Sequence, residues 1–125
     1  MEAMRFAKVL FIVAGIWGVL LTAPLYFLLD QIGIQDPPAI THPAFYYGFA
    51  GVALAWQIAF FIIAKDPPRY RLMMIPSALE KIGFGGAVLV LFLQGRMHVQ
   101  DLIFGLADLL FASLFLLAYA KTERR

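Results

Sequence analysis

The chain has 125 residues, of which 62% are hydrophobic and only 14% are charged, and its mean hydropathy is +0.82. About a quarter of the residues of a soluble domain carry charge, so this composition excludes a mainly water-facing surface and predicts a single-domain integral membrane protein. The absence of cysteine excludes disulfides, thiolate metal sites and cysteine redox chemistry. The net charge of +2 gives no indication of nucleic acid as a partner, and we expect none.

The first predicted spanning helix covers about residues 9–29, an uncharged run that follows Arg5 and Lys8. About 20 apolar residues suffice to cross a bilayer, so this run is long enough. A secretory signal peptide is the alternative for an apolar run after a basic start. The length of the run and the lack of a small-residue cleavage site favour a retained helix, in which Pro24 is tolerated as a kink.

The longest predicted connection covers residues 30–43, where glycine and proline favour turns over a long helix. Its isoleucines are apolar enough for the loop to lie against the bundle. The second helix is predicted at about residues 44–64 and begins with aromatic side chains typical of a membrane interface. Gly51, Ala55 and Ala59 form a small-residue stripe in this helix, which predicts close contact with another helix.

The start of the third helix has two interpretations, because prolines follow the basic turn at residues 65–71. In the first, Asp66 caps a helix that keeps Pro76 as an internal kink. In the second, the helix begins at Ser77, since Ser77 and Glu80 match a capping box. The residues before Ser77 then form an amphipathic segment along the membrane interface.

We place the third helix at about residues 73–95 and the fourth at 101–120, which gives an all-α bundle of four transmembrane helices. Basic residues near the helix ends predict its orientation, because cytoplasmic loops carry an excess of Lys and Arg. Only Arg96 lies on one side of the membrane, whereas the other side carries Arg5, Lys8, Lys65, Arg69, Arg71, Lys121, Arg124 and Arg125. We therefore expect both termini in the cytoplasm, with residues 30–43 and 96–100 outside.

Three charged side chains, Glu80, Lys81 and Asp108, lie inside the apolar third and fourth helices. A charge at the centre of a spanning helix costs about 2.5–3.5 kcal/mol on insertion scales, so a compensating partner is expected. Helices joined by a short turn are usually neighbours. We therefore predict an ion pair between Lys81 and Asp108, with a hydrogen bond added by Gln57 of the second helix. Small residues flank Asp108 on its face, which predicts that this face packs against another helix.

Each of these residues also has a structural interpretation. Glu80 can belong to the capping box, and Lys81 can extend to the head groups by snorkelling. Asp108 can form a purely structural ion pair or keep its proton in apolar surroundings, and Gln57 can simply link two helices. Trp17, which lies beside glycines, can stack on a ligand or pack in the core or the interfacial belt. His42 and His98 lie in loops without metal-ligand spacing, so no metal site is predicted.

Several residues in the second half of the chain carry a resemblance to a known group of proteins. They are the run KDPPRYR after the second helix, Lys81 in the third, and Gly105, Ala107-Asp108-Leu109 and Leu114-Phe115 in the fourth. In these features the chain resembles small bacterial four-helix membrane proteins of the DoxX-like type. The resemblance implies a four-helix bundle with a polar interior in a bacterial inner membrane, and it leaves the activity open.

Two functions remain in view from the sequence. The preferred one is a non-catalytic accessory subunit of a larger membrane assembly, which small loops and small-residue stripes favour. The second is a binding or transport module for a lipid-like or quinone-like molecule, with Asp108 and Lys81 in its polar interior, since pockets between bundle helices are common. No acid–base pair with catalytic spacing is recognisable, so an enzyme is the least favoured. Membrane lipid is an expected partner, a protein complex or homo-oligomer is possible, and no cofactor is identified.

Overall fold

A computed structural model describes residues 2–123 of the chain, and all regular structure in that range is helical. Helix α1 covers Glu2–Thr22 and continues as a 3-10 helix over Ala23–Phe27; α2 covers Leu29–Gln35, α3 Pro43–Lys65, α4 Met74–Leu93 and α5 Val99–Lys121. Helices α1, α3, α4 and α5 are long and apolar enough to cross a membrane, so the predicted all-α fold with four spanning helices is confirmed and the protein is a multi-pass membrane protein. The predicted orientation of the termini stays a prediction. Arg124 and Arg125, which contribute to the predicted orientation, lie outside the described residues.

Helix α1 begins at Glu2 rather than near residue 9. The residues before the apolar run include Ala3, Met4 and Ala7, which favour helix. Charged side chains at a helix end reach water through their flexible stems, so charge there does not stop the helix. The predicted boundary followed the edge of the apolar run, which marks the edge of the hydrocarbon and not the end of the helix.

Neither interpretation of the start of the third helix is right, because α4 begins at Met74 after a 3-10 turn at Arg71–Met73. Asp66 is the C-cap residue of α3 and does not start a helix. Ser77 lies inside α4, where its hydroxyl donates to the carbonyl oxygen of Met73 at 2.7 Å, so it forms no capping box with Glu80. Pro76 lies in the first turn of α4, where a proline costs little because the N–H has no partner within the helix.

The connection between α1 and α3 contains the short helix α2, which was not predicted. Gly33 is buried in α2, and a Cβ atom there would lie 3.0 Å from the Cα atom of Ala39. This close contact folds the proline-containing segment back onto the helix. Ile32 faces inward as expected, whereas Ile34 is 77% exposed.

The four spanning helices pack as two pairs, α1 with α3 and α4 with α5, and α1 also contacts α5. Contact between α3 and α4 is sparse, so a seam is left between them. The end of the bundle at which α1 and α4 begin is called the terminal end. The opposite end, which carries residues 28–43 and 94–98, is called the loop end. The core lies toward the terminal end and consists of Ala7, Leu10, Phe11, Ala14, Phe60, Ile63, Ala64, Met74, Ala78, Ala112, Phe115 and Ala118.

Three phenylalanines from three helices hold this core together. The rings of Phe11 and Phe115 stack with centroids 4.3 Å apart, and Phe60 meets Phe115 edge to face at 5.0 Å. At the same end Arg71 donates from Nε to the carbonyl oxygen of Tyr119 at 3.0 Å, which joins the start of α4 to the end of α5. The terminal end of the bundle is therefore closed and rigid.

Glycine permits the closest approach of α4 and α5. A Cβ atom on Gly85 would lie 2.8 Å from the carbonyl oxygen of Gly105, and one on Gly105 would lie 2.6 Å from Val88. The predicted packing of the Asp108 face is confirmed, since Gly105 and Ala112 are both buried. The helix contact predicted for the small-residue stripe of the second helix is wrong, because Ala55 is exposed. Helix α3 instead buries the face that carries Ala50, Ala53, Gln57 and Phe60.

Candidate functional site

The charged side chains of α4 and α5 form one buried cluster. Lys81 Nζ lies 3.5 Å from Asp108 Oδ1 and 4.0 Å from Glu80 Oε1. The side chains of Lys81, Glu80 and Asp108 are 4%, 16% and 13% exposed, respectively. The predicted contact between Lys81 and Asp108 is confirmed, and the snorkelling interpretation of Lys81 is wrong because its ammonium group is held inside the bundle.

The ammonium group of Lys81 lies at the boundary between this cluster and the aromatic core. Its Nζ atom is 5.3 Å from the ring centroid of Phe60 and 5.6 Å from that of Phe111. A cation within about 6 Å of a ring centroid is attracted by the negative face of the ring. Carboxylates on one side and aromatic rings on the other thus hold the buried lysine in place.

Gln57 is 2% exposed and forms a different hydrogen bond from the one predicted. Its Nε2 donates to the carbonyl oxygen of Ala53 in its own helix at 2.6 Å, and its Oε1 is buried without a hydrogen-bond partner among the described residues. Its side chain packs directly against Gly18 of α1, at a position that a Cβ atom would occupy. The predicted bond to the ion pair is therefore wrong, because Gln57 packs toward α1 while α3 and α4 remain apart.

One cavity of about 590 Å³ brings together all five residues singled out in the sequence, namely Trp17, Gln57, Glu80, Lys81 and Asp108. Lys81 and Asp108 lie at its inner end, next to the aromatic core. Its walls include the rings of Phe49, Phe84 and Phe104. The structure thus places the five residues around a shared space, and their role in binding stays a prediction.

The cavity opens at the loop end of the bundle, where its lining includes the exposed residues Gln35 and Gln100. Asp36 and Asp101 also line this mouth. A contact of 3.0 Å between Asp36 Oδ1 and His98 Nε2 links the segment after α2 to the turn before α5. This link holds the two connections together at the entrance.

The aromatic walls and the acidic mouth of the cavity were not predicted from the sequence. Asp101 had a usable signal, because it lies two helical turns before Asp108 and therefore on the same face of α5. Phe49 and Phe84 carried no such sequence signal, because phenylalanine is frequent throughout the chain. A phenylalanine that lines a cavity cannot be distinguished in a sequence from one that faces lipid.

A second space of about 640 Å³ lies along the seam between α3 and α4 and shares Phe49, Ala53, Glu80 and Phe84 with the first. We call it the lateral groove. The rings of Phe49 and Phe84 are stacked with centroids 5.7 Å apart, so they separate the groove from the cavity. Glycines 48 and 83 line the groove, and Cβ atoms there would meet nothing within 4 Å. Phe49 and Phe84, together with Ala53 and Glu80, thus lie between the cavity and the lateral groove.

These residues can hold an apolar molecule that has a polar group. The rings and aliphatic side chains accommodate the apolar part, and the charged cluster with Gln57 faces the polar part. Within residues 2–123 no group of three or more His, Cys, Asp or Glu side chains is placed to hold a metal ion. The arrangement combines a charged cluster with largely apolar walls.

The chain was compared with known protein families, with curated proteins and with solved structures. None of the three comparisons gave a match. The conclusions about the site therefore depend on the geometry of this chain alone.

Proposed function

We propose that the protein is a non-catalytic four-helix membrane module that binds one lipid-like or quinone-like small molecule inside its bundle. The observation that carries this proposal is the cavity of about 590 Å³ that joins a buried charged cluster to aromatic walls. Pockets that bind small molecules are typically 300–1,000 Å³, largely apolar and equipped with a few convergent polar groups, and this cavity meets that description.

The lateral groove supports a ligand that reaches the site from the membrane. It lies between helices that face lipid, and it is lined by apolar side chains such as Phe45 and Val52, which are 77% and 62% exposed. A molecule dissolved in the bilayer would enter the cavity by displacing the rings of Phe49 and Phe84, which line both spaces. Entry through the lateral groove would not help a ligand that is dissolved in water and absent from the bilayer.

We further propose that the protein lies in a bacterial inner membrane with its terminal end in the cytoplasm and the mouth of the cavity outside. The excess of Lys and Arg at the terminal end supports the orientation. The resemblance to DoxX-like proteins supports the location. The alternative role of accessory subunit is not favoured by a specific contact or surface, and the experiment below includes it as an outcome.

Native mass spectrometry after gentle detergent extraction from the source membrane tests the proposed function. We expect the chain of 14.0 kDa to carry a reproducible small-molecule adduct. Ala53→Phe should abolish the adduct, because Ala53 is 8% exposed and lines both the cavity and the groove. Ala55→Phe is the matched control, since Ala55 lies on the exposed face of the same helix and should keep the adduct.

Thermal unfolding of both variants shows whether Ala53→Phe still folds, and the smaller substitution Ala53→Val replaces it if it does not. A chain that carries other polypeptides and no small molecule would contradict the proposal and support the subunit role. An adduct retained by a folded Ala53 variant would place the ligand outside the cavity.

A further inference from the structure

The two buried side-chain atoms of the cavity that lack a hydrogen-bond partner among the described residues are both acceptors. Gln57 Oε1 is buried and accepts no hydrogen bond from the described residues, whereas the amide nitrogen of the same side chain is occupied by Ala53. Glu80 Oε1 is also buried without a hydrogen bond, although Lys81 Nζ lies 4.0 Å away. A buried acceptor without a donor costs free energy, so a ligand that donates hydrogen bonds here would remove that cost.

The formal charge of the cavity is negative. Glu80 and Asp108 share the single ammonium group of Lys81, which leaves one negative charge in the cluster when all three are ionised. Asp36 and Asp101 add carboxyl groups at the mouth, where His98 contacts Asp36. Lys81 is the one basic residue among the described residues that line the cavity. A positive charge in the cavity would balance the cluster in surroundings of low dielectric constant.

The walls of the cavity suit a cation with an apolar body. Trp17, Phe49, Phe84 and Phe104 line the cavity, and aromatic faces attract cations while the rings bury apolar surface. Of the two ligand classes proposed above, a quinone head carries only acceptors and would leave the acceptors of the cavity unpaired, so the lipid-like class is the better match. The aromatic walls and the unpartnered acceptors therefore both favour a cation with an apolar body.

We infer that the ligand is an amphipathic cation, namely a protonated amine on an apolar body. Once these side chains turn toward the cavity, its N–H groups donate to the unpartnered oxygens of Gln57 and Glu80, and its charge balances the cluster around Lys81. This inference rests on the binding function proposed above and specifies the chemical class of the ligand.

A matched series of three probes tests the inference: 4-phenylbutylamine, 4-phenylbutanol and 4-phenylbutyrate, which share one apolar body and differ in the charge of the head. The chain has two tryptophans, so Trp56→Phe leaves Trp17 in the cavity as the sole tryptophan reporter. Binding is measured by Trp17 fluorescence in lipid nanodiscs, and calorimetry on the same samples detects binding that leaves the fluorescence unchanged.

We expect the amine to bind about tenfold more tightly than the alcohol, since hydrogen bonds to charged groups are stronger than those between neutral groups. The carboxylate should bind more weakly than the alcohol. Glu80→Gln should abolish the tenfold preference, because it leaves the pair of Lys81 and Asp108 as a neutral unit. Glu123→Gln makes the same chemical change outside the cavity and should leave the preference intact.

Equal binding of the amine and the alcohol would overturn the inference and leave the proposed binding function in place. A preference for the amine that persists in a folded Glu80→Gln protein would also overturn it, because the cluster would not be its source. If none of the three probes binds by either measurement, the inference fails, and the adduct experiment described above decides the proposed function separately.

Discussion

The charged cluster is held together by partners from two helices and by the rings beneath it. Lys81 contacts Asp108 at 3.5 Å and Glu80 at 4.0 Å, and its ammonium group faces Phe60 and Phe111. Separating a buried ion pair by removing one partner is costly because the remaining charge has no water to solvate it. The formal charge of the cluster, minus one when all three groups are ionised, determines how each substitution acts.

Lys81→Met should lower the free energy of unfolding by about 3–5 kcal/mol, the usual cost of leaving a buried charge without its partner. The substitution leaves two adjacent carboxylates and a formal charge of minus two. The double variant Lys81→Met with Asp108→Asn returns the cluster to minus one, so it should be more stable than the single variant. Denaturant or thermal unfolding in detergent micelles measures both.

The matched control for the Lys81 variants is Lys65→Met, which removes a lysine from an exposed position at the end of α3. It should change stability little, because exposed charges contribute little to folding. A double variant that is less stable than Lys81→Met alone would show that Asp108 stabilises the bundle through a contact other than this pair.

At the scale of helices, glycine residues determine how closely α4 and α5 approach each other. Gly85 and Gly105 lie where the two helices approach each other, and Val88 packs onto Gly105. This close approach places Lys81 of α4 within reach of Asp108 of α5. Small residues permit such contacts in membranes because the backbones can come together without a side chain between them.

Adjacent glycines in α4 provide a matched pair of substitutions. Gly85→Ala should destabilise the protein by about 1–3 kcal/mol, because its Cβ atom would lie 2.8 Å from a backbone oxygen and the helices must shift apart. Gly86→Ala should leave stability unchanged or raise it by up to about 1 kcal/mol, because its Cβ atom would meet nothing within 4 Å and alanine favours helix.

Thermal unfolding of the two alanine variants side by side checks this prediction. Equal loss of stability would mean that α4 and α5 do not approach each other at Gly85. Such a result would also remove the basis for the short distance between Lys81 and Asp108.

At the scale of the whole molecule, the two ends of the bundle differ in packing. The terminal end is closed by the rings of Phe11, Phe60 and Phe115, whereas the helices at the loop end enclose the cavity. Sparse contact between α3 and α4 leaves the seam on one side. A closed end gives the module stability, and an open end gives it space for a ligand.

The orientation of this asymmetric bundle is testable by cysteine labelling, because the chain has no cysteine that would give background. Gln94→Cys and Glu123→Cys place single thiols at exposed positions of the loop end and the terminal end. In intact bacterial cells a membrane-impermeant maleimide should label Gln94→Cys only. Labelling of Glu123→Cys should require permeabilised cells, and the reverse pattern would place the mouth of the cavity in the cytoplasm.

The sequence by itself determined the four spanning helices and the contact between Lys81 and Asp108. Hydropathy is a property of a segment, so it identifies spans without knowledge of their neighbours. A charge in an apolar helix requires compensation, and the two helices that carry these charges are consecutive in the chain. Where helices end in water was less predictable, as the start of α1 demonstrates, because hydropathy marks the hydrocarbon and not the helix.

Only the tertiary structure decided that Trp17 and Gln57 share one cavity with the charged cluster. A cavity exists where side chains from several helices fail to meet, and that depends on which helices pair and how closely they approach. The pairing of α1 with α3 and the seam between α3 and α4 are such properties. They depend on contacts between residues far apart in the chain, such as Gly18 with Gln57, which no local pattern records.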